Sequence, residues 1–188
     1  GAIGTVRSVT IDFSKPLVEP GENLPWRLVP EISGGGLFAD LGSHMLDLLD
    51  WLLGSVARVQ GEGRNVAGAY PAEDQVFGTL EFSSGVVGTA LWDFSGTLDR
   101  DRTTIRGSKG CVEFSSFDGN PLLLFNEEGE QRIEAPFPPH VHQQLIHAIN
   151  EELRGGPPCQ SSAVSAARTA RVMDALLANL RPRRSLLY

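Results

Sequence analysis

The chain of 188 residues contains only two cysteines and four histidines, and this scarcity limits its disulfide and metal chemistry. Cys111 and Cys159 lie far apart and neither belongs to a C-x-x-C pair, so neither a disulfide framework nor a zinc knuckle is predicted. His140 and His142 form an H-x-H pair, but it precedes a predicted helix and lacks a cysteine or glutamate at ligand spacing. We therefore expect no metal site.

Basic residues are also scarce. The net charge is −7 and the isoelectric point is about 5.1. The one basic cluster is RPRRS at 181–185. Because neutralisation of phosphates dominates affinity for nucleic acids, an acidic chain without a basic stripe is not predicted to bind them. No apolar run reaches the roughly 18 residues that cross a bilayer, so a membrane partner is not predicted either.

Several catalytic signatures are missing. H-E-x-x-H and G-x-S-x-G do not occur, which removes the usual basis for a zinc protease or an α/β-hydrolase. The segment GEGRNV at 61–66 lacks the last glycine of G-x-G-x-x-G, and it lies in a strand-like run with no helix after it. The sequence therefore contains no predicted dinucleotide loop.

The sequence is rich in strand patterns. Residues 5–13 alternate apolar and polar side chains, and seven further strand-like runs follow between 56 and 135. Glycine-rich turns at hairpin spacing separate them, which is typical of an antiparallel meander. Three helices are also predicted, over 37–53, over about 140–155, and from a cap at Ser161 or Ser162 to the position before Pro182. Helices beside one antiparallel sheet indicate the α+β class.

The run at 85–94 has apolar side chains on both of its faces. Val86, Ala90 and Trp92 are expected to point one way, and Val87, Leu91 and Phe94 the other way. A two-layer domain keeps one sheet face polar, so we expect something to cover the second face. Another copy of the chain is the simplest cover, which predicts a homo-oligomer.

The helix over 37–53 carries the strongest candidates for chemistry. Asp40 and His44 stand at i and i+4, a spacing that lets the carboxylate orient the imidazole for proton transfer near neutral pH. The alternative is a surface pair, or an aspartate that serves the dipole of the first turn. Asp47 and Trp51 continue the same stripe. The expected core face consists of Leu41, Met45, Leu48, Leu49 and Leu52.

Three glycines at 34–36 lead into this helix, after an irregular stretch that includes Trp26. Their amides could meet an anion at the helix N-terminus. Alternatively, the glycines let the backbone approach its surroundings closely, and we favour this second interpretation.

The segment PWRLVPEISGGGLFADLGSHMLDLLDWLLG, residues 25–54, resembles the W-R…GGG-x-x-x-D-x-G-x-H-x-x-D segment of the glucose–fructose oxidoreductase/inositol dehydrogenase (Gfo/Idh/MocA) family. Further stretches, in the same order, resemble that family's strand after the nucleotide domain, its central hairpin, its G-[ST]-x-G turn and its final helix. The resemblance covers nearly the whole chain. It implies an open-faced, mostly antiparallel sheet with helices packed on one face.

The resemblance also implies a role for the chain. Residues 1–188 would form one substrate-binding and oligomerisation domain, and a Rossmann domain outside this sequence would bind NAD or NADP. His44 would be the acid/base on a sugar or polyol hydroxyl, with Asp40 as its carboxylate companion. Asp47, Trp26 and Arg27 would contact substrate, with Trp26 also open to a plain role in anchoring its loop.

The sequence departs from the family in lacking the E-K-P segment, whose lysine usually joins the catalytic group. The only two lysines, Lys15 and Lys109, stand in other contexts. The main alternative is therefore a stand-alone, non-catalytic binding or assembly module of the same fold. A second alternative is a metal-dependent hydrolase that uses His44 with His140 and His142. We expect a cytoplasmic protein, although any export signal would lie upstream of Gly1.

Overall fold

The computed structural model describes residues 1–21 and 23–180 of the chain. Within these residues it contains one eight-stranded sheet and four α-helices. The strands are β1 (Val6–Ser14), β2 (Val56–Arg64), β3 (Gln75–Phe82), β4 (Val87–Asp93), β5 (Arg100–Gly107), β6 (Gly110–Phe114), β7 (Leu122–Asn126) and β8 (Gly129–Ile133). The helices are α1 (Pro30–Ser33), α2 (Ser43–Leu53), α3 (Gln143–Leu153) and α4 (Ala163–Leu176), with a 3₁₀ turn at Trp26–Leu28 and a π-helical turn at Phe38–Gly42. The basic cluster at 181–185, with Pro182, lies outside the described residues.

The sheet joins two antiparallel meanders, in the order β2-β3-β4-β1-β5-β6-β7-β8. Strand β1 lies between the meanders, parallel to β4 and antiparallel to β5. The predicted α+β class and mostly antiparallel sheet are confirmed. The parallel β1–β4 pair was not predicted, because its connection runs through the helices and through β2 and β3, where no local turn signals it.

The closing helices begin close to their predicted positions, but α4 ends at Leu176, short of the predicted end before Pro182. Helix α4 follows an N-cap at Ser162, where Ser162 and Ser165 form a reciprocal capping box. Helix α3 is followed by Gly155 at φ +86°, a left-handed conformation that glycine adopts at low cost.

Helices α2 and α4 cover one face of the sheet and form the core with it. The indole of Trp92 is fully buried beneath the start of α2, 4.8 Å from the ring of Phe38, and its Nε1 donates to the sulfur of Met45 at 3.3 Å. The other fully buried side chains of this core include Phe13, Ile11, Val9, Phe82, Phe94, Leu49, Leu176 and Leu177. This layer fixes α2, which carries the candidate site, against the rigid centre of the sheet.

The predicted core face of the helix over 37–53 is partly wrong. Met45, Leu46, Leu49 and Leu53 are buried, whereas Leu52, which we predicted in the core, is 44% exposed. The buried stripe of α2 is centred nearer Leu46 and Leu53 than we predicted, which leaves Leu52 at its edge. A π-helical turn precedes α2. Gly42 permits this turn, since a Cβ there would lie 2.5 Å from the ring of Phe38.

The opposite face of the sheet carries mainly polar side chains. Its ion pairs and hydrogen bonds are Arg100–Asp12 at 2.7 Å, Arg106–Thr10 at 2.8 Å, Arg58–Glu81 at 3.0 Å and Arg102–Glu113 at 3.7 Å. Val87 is 54% exposed on this face, as predicted. Phe94, which we also placed there, is buried on the helix side beside Phe13. This prediction was wrong, because Phe94 lies two residues after Trp92 and the strand alternation puts both on the same face.

Two facing glycines let α4 rest directly on the sheet. Gly61 of β2 is paired with Gly78 of β3, and Leu176 of α4 is fully buried against them. A Cβ at Gly78 would lie 2.6 Å from Cδ2 of Leu176 and 2.6 Å from the carbonyl oxygen of Gln60. The sequence GEGRNV at 61–66 therefore serves packing here.

A second, smaller core lies under the irregular segment that leads to the glycines. Leu28, Tyr70 and Ala72 are its buried members. Asp74, which is fully buried, fixes the neighbouring turn by accepting hydrogen bonds from the amides of Val66 and Ala67 at 2.7 Å each. The Tyr70 hydroxyl is buried and has no hydrogen-bond partner among the described residues. This burial, with nearby carboxylates, raises the pKa of Tyr70 to about 12.

We expect Gly78→Ala to lower the free energy of unfolding by about 1–3 kcal/mol, because the added methyl overpacks the contact with Leu176. Urea denaturation would measure the change. Gly96→Ala is the matched control, since a Cβ there meets nothing within 4 Å, and it should stay within about 0.5 kcal/mol of wild type. Equal stability of the two variants would contradict this packing.

Tyr70→Phe should leave stability at pH 7 unchanged or slightly raised, because it removes a buried hydroxyl that has no partner. The pKa of Tyr70 is raised in the folded state from an ordinary value of 10.0 to about 12, so its contribution is present below pH 10 and is lost as pH rises through 12. The variant should therefore lose less stability than wild type between pH 10 and 12. Urea midpoints across that range test this, and parallel losses would refute it.

Candidate functional site

The three glycines connect the loop closely to the rest of the fold. Gly34, at φ +80°, ends α1, and its amide donates to the carbonyl of Pro30 at 2.9 Å. A Cβ at Gly36 would lie 2.4 Å from the backbone oxygen of Glu73, which agrees with the close-approach interpretation. The anion that meets the Gly36 amide is internal, because Oε1 of the buried Glu73 accepts its hydrogen at 2.8 Å.

Asp40 lies in the π-helical turn and bonds to the loop. Nε of Arg27 donates to Oδ2 of Asp40 at 2.7 Å, and the guanidinium stacks on Trp26 with Cζ 4.5 Å from the ring centroid. Both side chains of the ion pair are accessible, Arg27 at 47% and Asp40 at 39%. The structure therefore groups three predicted site residues, Trp26, Arg27 and Asp40, into one exposed cluster.

His44 is exposed in the first turn of α2, and its aromatic contact is with Phe117, at 6.0 Å between centroids and 83° between planes. Among the described residues, no hydrogen bond joins its imidazole to another side chain or to the backbone, and none joins it to Asp40. The predicted Asp40–His44 partnership is not formed in this structure, where the Asp40 carboxylate accepts a hydrogen bond from Arg27 instead.

Phe117 is a site neighbour that sequence reasoning missed. It lies in the 115–121 loop between β6 and β7, and its ring also packs edge-to-face on Phe13, at 5.6 Å. No local sequence motif predicts this contact, since it depends on where the meander of β5 to β8 lies relative to the start of α2.

His44 lies at one end of a cleft of about 920 Å³ between α2 and the segment that contains α3. Such a volume falls in the range of about 300–1,000 Å³ that is usual for small-molecule sites. Asp47 and Trp51 line the same cleft. On the far side it is lined by Leu145, Ala148, Glu151, Pro157, Pro158, Cys159 and Gln160. Trp26, Arg27 and Asp40 are not among the residues that line it.

Helix α4 holds the cleft-lining side of α2 in place. The Thr169 hydroxyl donates to Oδ1 of Asp47 at 3.2 Å. Asp50, which is 8% exposed, accepts two-pronged hydrogen bonds from Arg168, at 3.1 Å from Nε and 2.5 Å from Nη2. The hydrogen bond to Asp50 is the largest cause of the raised pKa of Arg168. Trp51 is fixed separately, by a hydrogen bond from Nε1 to the Gln160 side chain.

The remaining histidines do not join this site. In residues 1–21 and 23–180, no three histidine, cysteine, aspartate or glutamate side chains come together as a metal-ligand set. His44, His140 and His142 therefore do not form the cluster that the hydrolase hypothesis requires.

Both cysteines are unpaired. None of the described helices is long and apolar enough to cross a membrane.

The chain is similar in sequence to parts of longer proteins. Over 121 residues the chain is 33% identical to Oxidoreductase P35 of Formosa agariphila, covering 64% of this chain and 37% of that protein. It is 34% identical over 97 residues to 2,7-anhydro-N-acetylneuraminate hydratase of Escherichia coli, covering 49% and 26%. The chain thus spans about a third of the length of these relatives.

Solved structures share the fold. Levoglucosan dehydrogenase in complex with NADH and levoglucosan superposes with a TM-score of 0.76 at 20% identity, over 94% of this chain and 56% of that one. Aldose-aldose oxidoreductase from Caulobacter crescentus, complexed with glycerol, gives a TM-score of 0.76 at 23% identity, over 94% and 53%. The family described as the GFO/IDH/MocA C-terminal domain matches residues 1–113. The chain belongs to this family.

Proposed function

We propose that this chain is the substrate-binding domain of an NAD- or NADP-dependent oxidoreductase that acts on a sugar, a polyol or a related hydroxy compound. The observation that carries the proposal is the exposed imidazole of His44, whose nitrogens make no hydrogen bond within the described residues, at the end of a cleft of about 920 Å³. Relatives named as an oxidoreductase and a levoglucosan dehydrogenase support the reaction class.

Among the described residues, the segment at 61–66 does not fit a dinucleotide. Gly61 and Gly63, in the segment closest to a nucleotide fingerprint, lie in β2 and face leucines of α4 and its C-terminal extension, not a helix N-terminus. We therefore propose that a separate nucleotide-binding domain, outside the sequence described here, holds the NAD or NADP. Structures of levoglucosan dehydrogenase with NADH support this division, since the chain matches 56% of that protein.

His44 would act at the substrate hydroxyl. Oxidation of a carbinol removes its hydroxyl proton as well as a hydride, and a neutral imidazole is a suitable proton acceptor near neutral pH. A histidine on a helix that is fixed by a packed core is better positioned for this than one on a loop. When substrate is reduced instead, the same nitrogen would return the proton.

The cluster of Trp26, Arg27 and Asp40 would bind other parts of the substrate. Arg27 uses only Nε on Asp40, so its terminal nitrogens can donate to hydroxyls, and Oδ1 of Asp40 can accept from them. The indole of Trp26 is 54% exposed and offers an apolar surface to a sugar ring. We propose that Asp40 serves catalysis by binding the reacting hydroxyl beside His44. Asp47 would contact substrate within the cleft.

Two protein surfaces support the proposed partners. The large apolar side chains of α3 remain exposed, from 39% at Leu145 to 79% at Leu153, and the nucleotide-binding domain would cover this side. The open sheet face, with Val87 and its arginine–carboxylate pairs, would contact a second copy of the chain.

Both unpaired cysteines suit a reducing compartment, so we propose a cytoplasmic location.

One observation favours the alternative of a non-catalytic binding module. Asp40 bonds to Arg27 and not to His44, so the acid–base pair that the spacing predicted is not assembled in this structure. In such a module the same exposed cluster would bind a saccharide without transforming it. The two readings differ in whether turnover depends on His44.

In the native protein that contains this chain, His44→Ala should lower kcat by roughly 10²-fold or more, because it removes the proton acceptor. His140→Ala, at an exposed histidine that precedes α3 and does not line the cleft, is the matched control and should keep wild-type turnover. Steady-state kinetics on the best saccharide or polyol substrate would measure both. A wild-type kcat in His44→Ala would contradict the catalytic role of His44 and favour the non-catalytic binding module.

The isolated chain of 188 residues should show no saturable binding of NADH, because the described residues form no strand–turn–helix for its phosphates. A fluorescence titration with NADH tests this, with the native protein as the positive control. Saturable binding to the isolated chain would show that the cofactor site lies within it and that the proposed division of labour is wrong.

A further inference from the structure

The side chain of His44 is held differently from those of its neighbours. Arg27 holds Asp40, and Thr169 holds Asp47, each through a hydrogen bond. His44 lies between them along the chain and has no hydrogen bond within the described part of the structure. Its ring instead meets Phe117 almost perpendicularly, at 6.0 Å and 83°. Edge-to-face contacts of this kind have a preferred geometry, so they can restrict how a ring turns.

Phe117 is itself fixed from two sides. Its ring packs on Phe13, which is fully buried in the centre of the core. Its backbone amide donates to Oδ2 of Asp101 at 2.7 Å, and the amide of Ser116 donates to the same oxygen at 2.8 Å. Asp101, at the start of β5, thus collects two adjacent amides of the 115–121 loop on one carboxylate oxygen, a charge-assisted arrangement.

The other carboxylate oxygen of Asp101 is buried, and no residue in the described part of the chain gives it a hydrogen bond. Burying an oxygen without a hydrogen bond costs free energy, so the packing around Asp101 must hold its carboxylate in this position. Lys15 supplies nearby positive charge. Its pKa is raised chiefly by its hydrogen bond to Asp99, at 2.7 Å, and in smaller part by Asp101.

We infer that Phe117 is a positioning residue for His44, and that Asp101 positions Phe117 by fixing its loop. This inference rests on the proposed acid–base role of His44 for its effect on turnover, but the geometric part stands on the contacts alone. The Phe117 ring confines the imidazole to one side-chain rotamer at the edge of the cleft that His44 lines. Loss of the ring, or of the carboxylate that fixes its loop, frees the imidazole to rotate.

The test uses the chain itself, with nuclear magnetic resonance of the ring protons. Wild type should show nuclear Overhauser contacts between the rings of His44 and Phe117, and Asp101→Ala should lose them. Contacts between Phe13 and Phe94, which are buried in the core at 6.0 Å, report whether the fold is kept. Asp118→Ala is the matched control, because it removes a carboxylate from the same loop, and this carboxylate makes no hydrogen bond within the described residues. Asp101→Asn should keep part of the His44–Phe117 contacts that Asp101→Ala loses. Unchanged His44–Phe117 contacts in Asp101→Ala would overturn the role of Asp101.

Phe117→Leu keeps the inference testable if Asp101→Ala does not fold, since leucine preserves most of the apolar packing on Phe13. Three-bond couplings of His44 should report one χ1 rotamer in wild type and averaged rotamers in Phe117→Leu. Couplings that stay at their wild-type values would overturn the role of Phe117.

Kinetics of the native protein separate this inference from the proposed function. Phe117→Leu should lower kcat by about tenfold or more with little change in KM, as expected when a reacting group is misplaced, and Phe117→Tyr should keep most of the activity. If His44→Ala leaves turnover unchanged, the proposed function fails while the resonance measurements still decide the positioning. If His44→Ala abolishes turnover and Phe117→Leu does not lower kcat, the positioning inference fails alone.

Discussion

The burial of Trp92 beneath the start of α2 is the contact on which the arrangement of the site depends. Its indole sits under the ring of Phe38, at 4.8 Å, and against the sulfur of Met45. Because Phe38 opens the π-helical turn and Met45 lies in the first turn of α2, one buried side chain fixes both sides of the segment that carries Asp40 and His44. Trp92 lies in β4, near the middle of the sheet, where movement is least. The candidate site is therefore held from beneath by the most rigid part of the fold.

Much of the fold could be predicted because its signals are local. Strand alternation, glycine turns at hairpin spacing and the serine cap of α4 each act over a few residues, and the strands and helices follow them closely. The pairing of β1 with β4 is different, since its partners are far apart in sequence. The π-turn at Phe38–Gly42 could not be predicted either, because it depends on the ring of Phe38 packing over Gly42. The exposure of Leu52 was missed because the helix faces the sheet through Leu46 and Leu53, and the pattern of leucines alone does not give that orientation.

The candidate site shows the same division. Residue types and spacing led to Trp26, Arg27, Asp40, His44 and Asp47, and the structure places the first three in one cluster and the last two along one cleft. Their partners were not predictable. Arg27 reaches Asp40 only because the loop folds back over the helix start, and Phe117 reaches His44 only because the 115–121 loop closes beside it. Spacing along a helix predicts which side chains share a face, but a competing partner from another element decides the contacts.

The carboxylate of Glu73 on the Gly36 amide has a consequence for what reaches the site. The positive end of a helix attracts anions, yet here the fold supplies its own carboxyl group, buried just ahead of the turn that carries Asp40. Further carboxylates, at Asp40, Asp47 and Glu151, are in or beside the cluster and the cleft. Arg27 pairs with Asp40 and Arg154 pairs with Glu151, so these carboxylates offer acceptors to hydroxyl hydrogens beside positive charge. The Gly36 amide, in contrast, is already occupied by the protein's own Glu73 side chain, so an anionic ligand would have to bind elsewhere on this surface.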